Sequence, residues 1–298
     1  MSAVQPKRLI THSEDFHTDD VFATAMLLDL FPDAEIVRTR DEKIIATGDI
    51  VYDVGKVFDP AKGRFDHHQA QAGKRENGIV YSGFGLLWRE YGVQFCGGDG
   101  TVAEAIEERL VIPIDAIDNG QTLVTPKFDG VQPFTIDDII AIMNPQPWAV
   151  STEEPDAQFM KAVELARLVL SRLRTAIRND LASQAYLLDL YNKAEDKRLI
   201  VADKAASVSG ILNQCPGLLY VVSPRPSGSW GVLAVSTEPG SFVLRRPFPE
   251  AWRALMPAKL VEITGVADAA FCHATGFYAA AESRAGAINL AYRSLATE

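Results

Sequence analysis

Most of the histidines in this sequence stand beside carboxylates near its beginning. The chain has five histidines, and four of them lie in two segments, THSEDFHTDD and RFDHHQ. The side chains that could do chemistry are His12, His17, Asp19 and Asp20 in the first segment and Asp66, His67 and His68 in the second. Imidazole nitrogens and carboxylate oxygens, without thiolates, suit Mn²⁺, Fe²⁺, Zn²⁺ or, less well, Mg²⁺. The two segments therefore predict a site for divalent cations.

Two further segments place carboxylates where they could complete such a site. Asp53 ends the β-branched run IVYDVG, and Asp115 and Asp118 lie in IDAIDNG. Two metal ions a few ångström apart need about six protein ligands, one of them a bridging carboxylate. The four segments together supply that number, so the sequence predicts a dinuclear site.

The same segments fall near the ends of predicted elements. Alternating short β-branched runs and apolar helical segments indicate an α/β fold with a parallel sheet, in which the chemistry lies beyond the carboxyl ends of the strands. We predict strands over residues 7–13, 35–40 and 49–55 and helices over residues 21–31, 81–92 and 101–110. Residues 111–120 are predicted as either a further strand or a helix end that runs into a polar turn.

The second part of the chain has a different pattern. Apolar residues at three-to-four spacing predict a long helical region over residues 156–194. Short strands follow in RLIVAD, LLYVVSP, WGVLAVST and SFVLRR, and a helix from about Ala279 to Ala296 closes the chain. We therefore predict an N-terminal domain with its helical extension over residues 1–194 and a smaller C-terminal α+β domain over residues 197–298.

Composition excludes several classes of protein. The 298 residues are 47% hydrophobic and 23% charged, unlike disordered, collagenous or coiled-coil chains. The three cysteines form no CxxC pair, which argues against a disulfide framework or a zinc ribbon and fits a reducing, cytoplasmic location. Neither a secretory leader nor an apolar run of about 18 residues is present, so we expect no export and no membrane insertion.

Charge is unevenly distributed along the chain. The net charge of −10 disfavours a broad contact with duplex DNA. Residues 1–196 carry a net charge of −13, and residues 197–298 carry a net charge of +3. An acidic first part suits cations and a mildly basic second part suits an anionic substrate, although solvated surface charge could produce the same split. P-loop and nucleophile-elbow motifs are absent, so neither a P-loop nucleotide site nor a nucleophilic serine is indicated.

In their order and spacing, THSEDFHTDDVFA, IVYDVG, RFDHHQ and IDAIDNG resemble the four motifs of the DHH phosphoesterase superfamily. RENGIVYSGFGLLWREYG, LRRPFPEAWRALMPAKL and FCHATGF are similar to its Myg (melanocyte proliferating gene) branch, so the resemblance spans nearly the whole chain. It implies a two-domain hydrolase whose N-terminal DHH domain holds two metal ions, usually Mn²⁺, and cleaves phosphoester or phosphoanhydride bonds. One departure from many DHH proteins, shared with the Myg branch, is that His17 stands where they have an Asp.

The resemblance also implies a role for each motif residue. The implied metal ligands are His12, His17, Asp19, Asp53, His67 and Asp118, with Asp53 as our candidate for the bridging ligand. Asp118 is preferred to Asp115 because DNG aligns with the fourth motif of the superfamily, and Asp115 could support the ligands from outside. His68 and Asp66 are predicted to be catalytic: His68 orients the phosphate or donates a proton while water activated by the two ions attacks.

From the second domain, substrate contacts are predicted at Arg245, Arg246, His273 and Gly276. Alternatively, the two arginines lie at the solvated end of a strand and contact no substrate. Trp252 and Phe277 could stack on a base, but core packing is the more common role of aromatic residues. The segment NGIVYSGFG could offer backbone N–H groups to an anion or begin a helix that packs on the sheet.

The Myg branch is associated with 3′-to-5′ exonuclease action on RNA, so the resemblance implies a metal-dependent exonuclease for single-stranded RNA. The alternative is a phosphohydrolase of small molecules, such as short oligonucleotides, nucleotide phosphates or pyrophosphate, because the same dinuclear site serves both. A third hypothesis is a metal-stabilised binding protein without turnover, which the complete set of motif residues argues against. The expected partner is single-stranded RNA or a short oligonucleotide, and the sequence leaves the oligomeric state open, a homodimer included.

Overall fold

The protein folds into two compact units that divide within one long helix. A computed structural model describes residues 7–69, 72–145 and 154–297. The units divide between Ile177 and Arg178, whereas the sequence places the boundary at residues 194–197, after the long helix. The last turns of that helix pack within the second unit, where Leu187 is fully buried in an apolar cluster with Ile211 and Leu218.

A five-stranded, mainly parallel sheet forms the centre of the first unit. Its strands are β1 (Arg8–Thr11), β2 (Glu35–Arg38), β3 (Ile50–Tyr52), β4 (Phe58–Asp59) and β5 (Arg64–Phe65), in the order β2-β1-β3-β5-β4. β2, β1, β3 and β5 run parallel, and β4 pairs antiparallel with β5 at the edge. The apolar residues of β1 and β3 are almost wholly buried, as expected for central strands that are covered on both faces. The predicted α/β fold with a parallel sheet is confirmed.

The helices that surround this sheet include a π-helical turn. They are α1 (Thr18–Leu30), α2 (Glu42–Ile45), α3 (Gly83–Phe95), α4 (Gly100–Ile106), α5 (Ile112–Asp118), α6 (Ile136–Ala141) and the first part of α7 (Pro155–Lys193). The π-helical turn, Glu107–Val111, joins α4 to α5. Pro113 accounts for it, because proline has no N–H group to donate to the carbonyl of Arg109 in a regular α-helix. Most of the segment 111–120 therefore belongs to a helix that ends at Asp118.

A second five-stranded sheet forms the centre of the second unit. Its strands are β6 (Leu199–Val201), β7 (Tyr220–Pro224), β8 (Trp230–Ala234), β9 (Ala269–Cys272) and β10 (Tyr278–Ala281), in the order β6-β7-β8-β10-β9. β6 and β7 are parallel, and the other neighbouring pairs are antiparallel. Two helices, α8 (Pro257–Thr264) and α9 (Arg284–Ala296), complete this unit, and α9 packs on β7 and β8. The predicted α+β character of the C-terminal part is confirmed.

Two predictions for the second unit are wrong in detail. The closing helix begins at Arg284 and not at Ala279, because residues 279–281 belong to β10. Alanine favours helices in isolation, but these three alanines are fully buried in a strand that pairs with β8 on one side and β9 on the other. SFVLRR forms no strand. In the described residues its β-type pairing is limited to one isolated antiparallel bridge between Ser236 and Leu244.

The long helical region is confirmed as α7, which begins at Pro155 and ends at Lys193. Charged residues recur along its 39 residues, and no helix in the part of the chain that the structure describes is both long and apolar enough to cross a membrane.

Candidate metal centre

The polar residues singled out in the sequence meet at one edge of the first sheet. One motif follows β1, one follows β3 and one follows β5, and these parallel strands end at the same edge. The beginning of α1 and the end of α5 reach this edge as well. The side chains gathered there are His12, His17, Asp19, Asp20, Asp53, Asp66, His67, His68 and Asp118.

Three overlapping sets of ligand atoms form at this edge. In each set the nitrogen and oxygen atoms lie within 4.8 Å of one another. The sets are His12, His17 and Asp53; Asp53, His67 and His68; and His17, Asp19 and Asp118. Asp53 and His17 each belong to two sets, and neighbouring ions in a dinuclear site share a ligand in this way. All six ligands implied by the family resemblance lie in at least one set.

Hydrogen bonding fixes the orientation of the His12 ring. Its Nδ1 lies 3.0 Å from the carbonyl oxygen of Ser13, to which it donates. Its buried Nε2 lies 3.1 Å from Oδ2 of Asp53 and 3.4 Å from Oδ2 of Asp20. Burial lowers the pKa of His12, but the two carboxylates outweigh burial and raise it. A cation at Nε2 would therefore replace a proton that the same carboxylates attract.

Asp53 lies at the centre of the cluster. Its Oδ2 faces His12, and its Oδ1 lies 3.1 Å from Nε2 of His67. Burial alone would raise the pKa of Asp53, but its contacts with His12 and His67 hold it below the ordinary range. The backbone φ of +53° is uncommon for a residue other than glycine and persists where the surrounding structure imposes it. Asp53 therefore offers an ionised carboxylate to both sides of the cluster.

Three other carboxylates crowd around Asp53. Burial, followed by the negative charges of Asp53 and Asp118, raises the pKa of Asp19 well above its ordinary value. Burial likewise raises the pKa of Asp20 to about 7, and it raises the pKa of Asp118 above its ordinary value. Several carboxylates buried together are unfavourable unless protons or cations neutralise them. The electrostatics of the cluster favour cations.

Four polar atoms of the cluster are buried without a hydrogen-bond partner in the described residues. They are Nε2 of His12, Oδ1 of Asp19, Oδ2 of Asp20 and Oδ2 of Asp118. Such atoms are rare in folded proteins, and a group of them calls for an explanation such as a bound ion. Imidazole nitrogen and carboxylate oxygen are ligands that Mn²⁺ and related ions accept. The residues present thus fit divalent cations.

Asp66 holds His68 at the rim of the cluster. Its Oδ1 accepts hydrogen bonds from the backbone N–H of His68 at 2.9 Å and from Nδ1 of the same residue at 2.8 Å. Its Oδ2 accepts from the backbone N–H of Lys56 at 2.7 Å. Although burial opposes it, these bonds lower the pKa of Asp66, and the hydrogen bond to Asp66 raises the pKa of His68. The His68 side chain is 58% exposed, so an oriented and readily protonated imidazole faces solvent beside the cluster.

Asp115 lies one turn before Asp118 on α5 and connects this helix to Ser82, at the start of α3, and to Arg75. Its Oδ1 accepts from the hydroxyl of Ser82 at 2.6 Å and from the Ser82 backbone N–H at 3.1 Å. Its Oδ2 pairs with Arg75, which also pairs with Glu107 at 2.7 Å. Burial raises the pKa of Asp115 to about 6, against the opposing effects of Arg75 and Ser82. The structure thus brings Asp118 into the cluster and leaves Asp115 outside the three ligand sets.

The start of α3 contacts the cluster directly. The backbone N–H of Gly83 donates to Oδ2 of Asp19 at 3.1 Å, where the helix N-terminus favours negative charge. A Cβ atom at position 83 would lie 3.1 Å from Cβ of Asp53 and 3.2 Å from Oδ2 of Asp19. Of the two roles considered for NGIVYSGFG, the structure shows a helix start whose first N–H group binds a carboxylate of the protein.

Three contributors to the centre lie outside the predicted ligands, catalytic residues and substrate contacts: Asp20, which is singled out only as a side chain that could do chemistry, Arg75 and Gly83. Asp20 is visible in the sequence beside Asp19, and glycines in SGFG signal a close approach at a helix start. Nothing in the sequence indicates the pairing of Arg75 with Asp115, because 40 residues separate them.

The two arginines predicted to bind substrate donate to backbone carbonyls of their own unit. Arg245 donates to Leu212 at 2.7 Å and to Leu218 at 3.1 Å, and Arg246 donates to Ser294 at 3.2 Å. Both side chains thus hold loops and termini of the second unit together, and their contact with substrate stays a prediction.

His273 and Gly276 lie in the turn between β9 and β10. Nδ1 of His273 is 3.0 Å from Oγ1 of Thr275, and Gly276 has a φ of +72°. Their contact with substrate also stays a prediction. Trp252 is buried and stacks on Phe248, in agreement with a core role, whereas Phe277 is 39% exposed.

Comparison with known proteins assigns the family. The MYG1_exonuc family model, described as "Uncharacterised protein family (UPF0160)", matches residues 8–295. The chain belongs to this family. MYG1 exonuclease of Homo sapiens is 30% identical over 332 residues, which cover 98% of this chain and 86% of the human protein. MYG1 exonuclease of Bos taurus is 31% identical over 334 residues, which cover 98% and 85% of the two chains.

Among solved structures, the pGpG-specific phosphodiesterase PggH from Vibrio cholerae aligns with 97% of this chain and 98% of its own, with a TM-score of 0.32 and 13% identity. That likeness is too remote to inform the site. The MYG1 family match confirms the predicted family resemblance and the prediction that the chain is an enzyme of the phosphoester hydrolase class.

Proposed function

We propose that the protein is a divalent-metal-dependent phosphodiesterase that removes nucleotides from the 3′ end of single-stranded RNA. The observation that carries the metal dependence is the group of four buried nitrogen and oxygen atoms at one edge of the sheet that form no hydrogen bond within the described residues. The names of the human and bovine relatives support exonuclease action. The preference for RNA and the 3′-to-5′ direction come from the resemblance to the Myg branch.

Two ions would be held by the three overlapping ligand sets. The ligands would be His12, His17, Asp19, Asp53, His67 and Asp118, with Asp53 shared. Bound divalent ions lower the pKa of water and neutralise charge on phosphate oxygens, which is the chemistry that phosphodiester hydrolysis needs. Mn²⁺ is the proposed ion, since the donors mix imidazole with carboxylate and include no thiolate.

Although His68 belongs to one of the three ligand sets, we assign it to the substrate, because Asp66 engages its ring. Asp66 holds its Nδ1 at 2.8 Å and favours the protonated ring. The exposed Nε2 is then the atom that can donate a hydrogen bond to a phosphate oxygen or a proton to the leaving oxygen. In this arrangement the buried Asp66 orients the His68 ring and stabilises its protonated form.

The purified protein incubated with Mn²⁺ and 5′-labelled single-stranded RNA tests the proposal. We expect a ladder of products that shortens from the 3′ end, no products in EDTA, and none from the Asp66→Asn, His67→Ala double variant. Parallel reactions contain a dinucleotide and inorganic pyrophosphate.

Each pattern of products has one meaning. Cleavage of the small substrates alone would replace the exonuclease with a small-molecule phosphohydrolase. Turnover that survives both EDTA and the double variant would show that the metal centre is not the active site. No turnover of any substrate with Mn²⁺, Mg²⁺ or Zn²⁺ would favour the binding protein without catalysis.

A further inference from the structure

A second cleft of the first unit opens directly beside the metal centre. Its volume is about 600 Å³, against about 360 Å³ for the space between the candidate ligands. Arg40, Asp53 and His68 line both spaces, so the two are continuous at the position of the predicted proton donor. We call the larger space the basic cleft; the lining residues that matter here are Arg40, Ile45, Val54, Lys56, Val57 and Arg64.

The basic cleft presents cations that the fold leaves available. In the described residues the Lys56 ammonium group forms no ion pair. The contacts of Arg40 are long, at 3.8 Å to Glu14 and 3.4 Å to Nδ1 of His12. Arg64 donates to the carbonyl of its neighbour Lys62 at 2.9 Å. The carboxylates of Asp53 and Asp66 are engaged by histidines and backbone. Glu42 also lines the cleft, but its single carboxylate is outnumbered by the three cations, so the cleft can attract an anion.

One wall of the basic cleft is apolar. Ile45 and Val54 belong to one apolar cluster and both line the cleft, as does Val57, which is 47% exposed. Inorganic phosphate or pyrophosphate gains nothing from such a wall, whereas a ribose and base bury apolar surface on it. Cations beside an apolar wall, in a space of this size, suit a nucleoside that carries phosphate.

The turn after β3 couples this cleft to the catalytic residues. Asp53, Gly55 and Lys56 all have left-handed backbone, with φ of +53°, +93° and +56°. The backbone N–H of Lys56 donates to Asp66, the carboxylate that orients His68. One tight turn therefore positions two groups, the Asp53 carboxylate of the metal centre and the Lys56 side chain of the cleft. Through its backbone N–H group it also holds Asp66, which orients His68.

We infer that the basic cleft binds the nucleotide unit next to the scissile bond, with sugar and base along Ile45, Val54 and Val57 and the phosphate near Arg40 and Lys56. This inference rests on the proposed phosphodiesterase function and adds to it the place where a nucleotide of the substrate binds. It places a nucleotide subsite on the same unit as the metal centre, in addition to the substrate contacts predicted for residues of the second unit. It favours a nucleotide substrate over inorganic pyrophosphate.

Calorimetric titration in EDTA tests the cleft without turnover. The probes are the dinucleoside monophosphate ApA and inorganic pyrophosphate, titrated into the full chain and into the variants Lys56→Ala and Val57→Asp. Lys62→Ala is the matched control for charge, because Lys62 is nearby and 79% exposed but does not line the cleft. Val93→Asp is the matched control for the new carboxylate, because Val93 is 51% exposed on α3.

We expect ApA to bind the unaltered chain and the dissociation constant to rise about tenfold in each cleft variant, which is the usual effect of one charged or apolar contact. Both controls should bind ApA as the unaltered chain does. No saturable ApA binding, equal ApA binding by cleft variants and controls, or pyrophosphate binding as tight as ApA binding would overturn the inference.

A separate assay keeps this result distinct from the proposed function. Hydrolysis of bis(p-nitrophenyl) phosphate with Mn²⁺ needs the metal centre but offers the cleft no nucleotide. If ApA binding behaves as expected and this diester is not cleaved, the phosphodiesterase proposal fails while the subsite stands. If the diester is cleaved and ApA binding is unaffected by the cleft variants, the subsite alone is wrong.

Discussion

Replacing Asp53 with asparagine will abolish turnover, with an expected fall in kcat of about a thousandfold, or about 4 kcal/mol of transition-state stabilisation. The Asp53 carboxylate lies 3.1 Å from both His12 and His67 and belongs to two of the three ligand sets. The amide of asparagine keeps the shape but cannot give a negative oxygen to each side. Asparagine also tolerates the left-handed backbone at this position, so the fold should persist. Initial rates of diester hydrolysis with Mn²⁺ measure the effect.

Asp59→Asn is the matched control for this substitution. Asp59 lies on β4 of the same sheet, pairs with Lys62 at the surface and contacts none of the candidate ligands in the described residues. We expect its rate to stay within about twofold of the unaltered chain, as surface substitutions usually do. An Asp53→Asn variant that folds and retains a tenth or more of the activity would contradict a shared catalytic carboxylate.

Replacing Arg75 with methionine will lower the free energy of unfolding by about 3 to 5 kcal/mol, because it leaves the buried charge of Asp115 without its cation. The damage should extend to the metal centre. Asp115 holds Ser82 at the start of α3, and Asp118 lies one turn further along α5. We expect Mn²⁺ affinity to fall about 10-fold to 100-fold, as when supporting groups of other metal sites are removed. Urea denaturation and calorimetric Mn²⁺ titration measure the two effects.

Arg89→Met serves as the control because Arg89, like Arg75, lies over the ring of Tyr81, at 5.1 Å against 4.1 Å. We expect Arg89→Met to change the free energy of unfolding and the Mn²⁺ affinity little. The double variant Arg75→Met, Asp115→Leu removes both charges and should recover much of the stability, since an apolar pair of similar volume can replace a buried ion pair. Its Mn²⁺ affinity should stay low. Recovery of full Mn²⁺ affinity in the double variant would show that the ion pair does not position the ligands.

The parts of the site that are local in sequence could be predicted. His12 and Asp53 directly follow strands that the sequence predicts, and parallel strands deliver their carboxyl ends to one edge, so strand pattern and residue type sufficed for both. For His67 the residue types of RFDHHQ carried the prediction, because the strand before it, β5, is only two residues long and has no apolar pattern of its own. The helix start at Ser82 was also visible, because serine is a common N-cap and accepts from the N–H of Gly85 here.

The parts that depend on long-range packing could not be predicted. Arg75 and Asp115 meet across 40 residues, and neither residue alone reveals its partner. Residues 279–281 have the propensity of a helix but form a strand, because they pair with β8 on one side and β9 on the other and are fully buried, so tertiary packing overrides the local propensity. The π-helical turn before Pro113 shifts the phase of α5, which periodicity alone cannot show.

The central claim is that the cluster holds two divalent ions, and the number of ions bound per chain tests it most directly. Calorimetric titration of the metal-free protein with Mn²⁺, checked by elemental analysis after dialysis, measures this number. We predict about two ions per chain, with both sites weakened in Asp53→Asn because the carboxylate is shared. One ion or none, or two ions whose binding is unchanged in Asp53→Asn, would contradict the dinuclear centre.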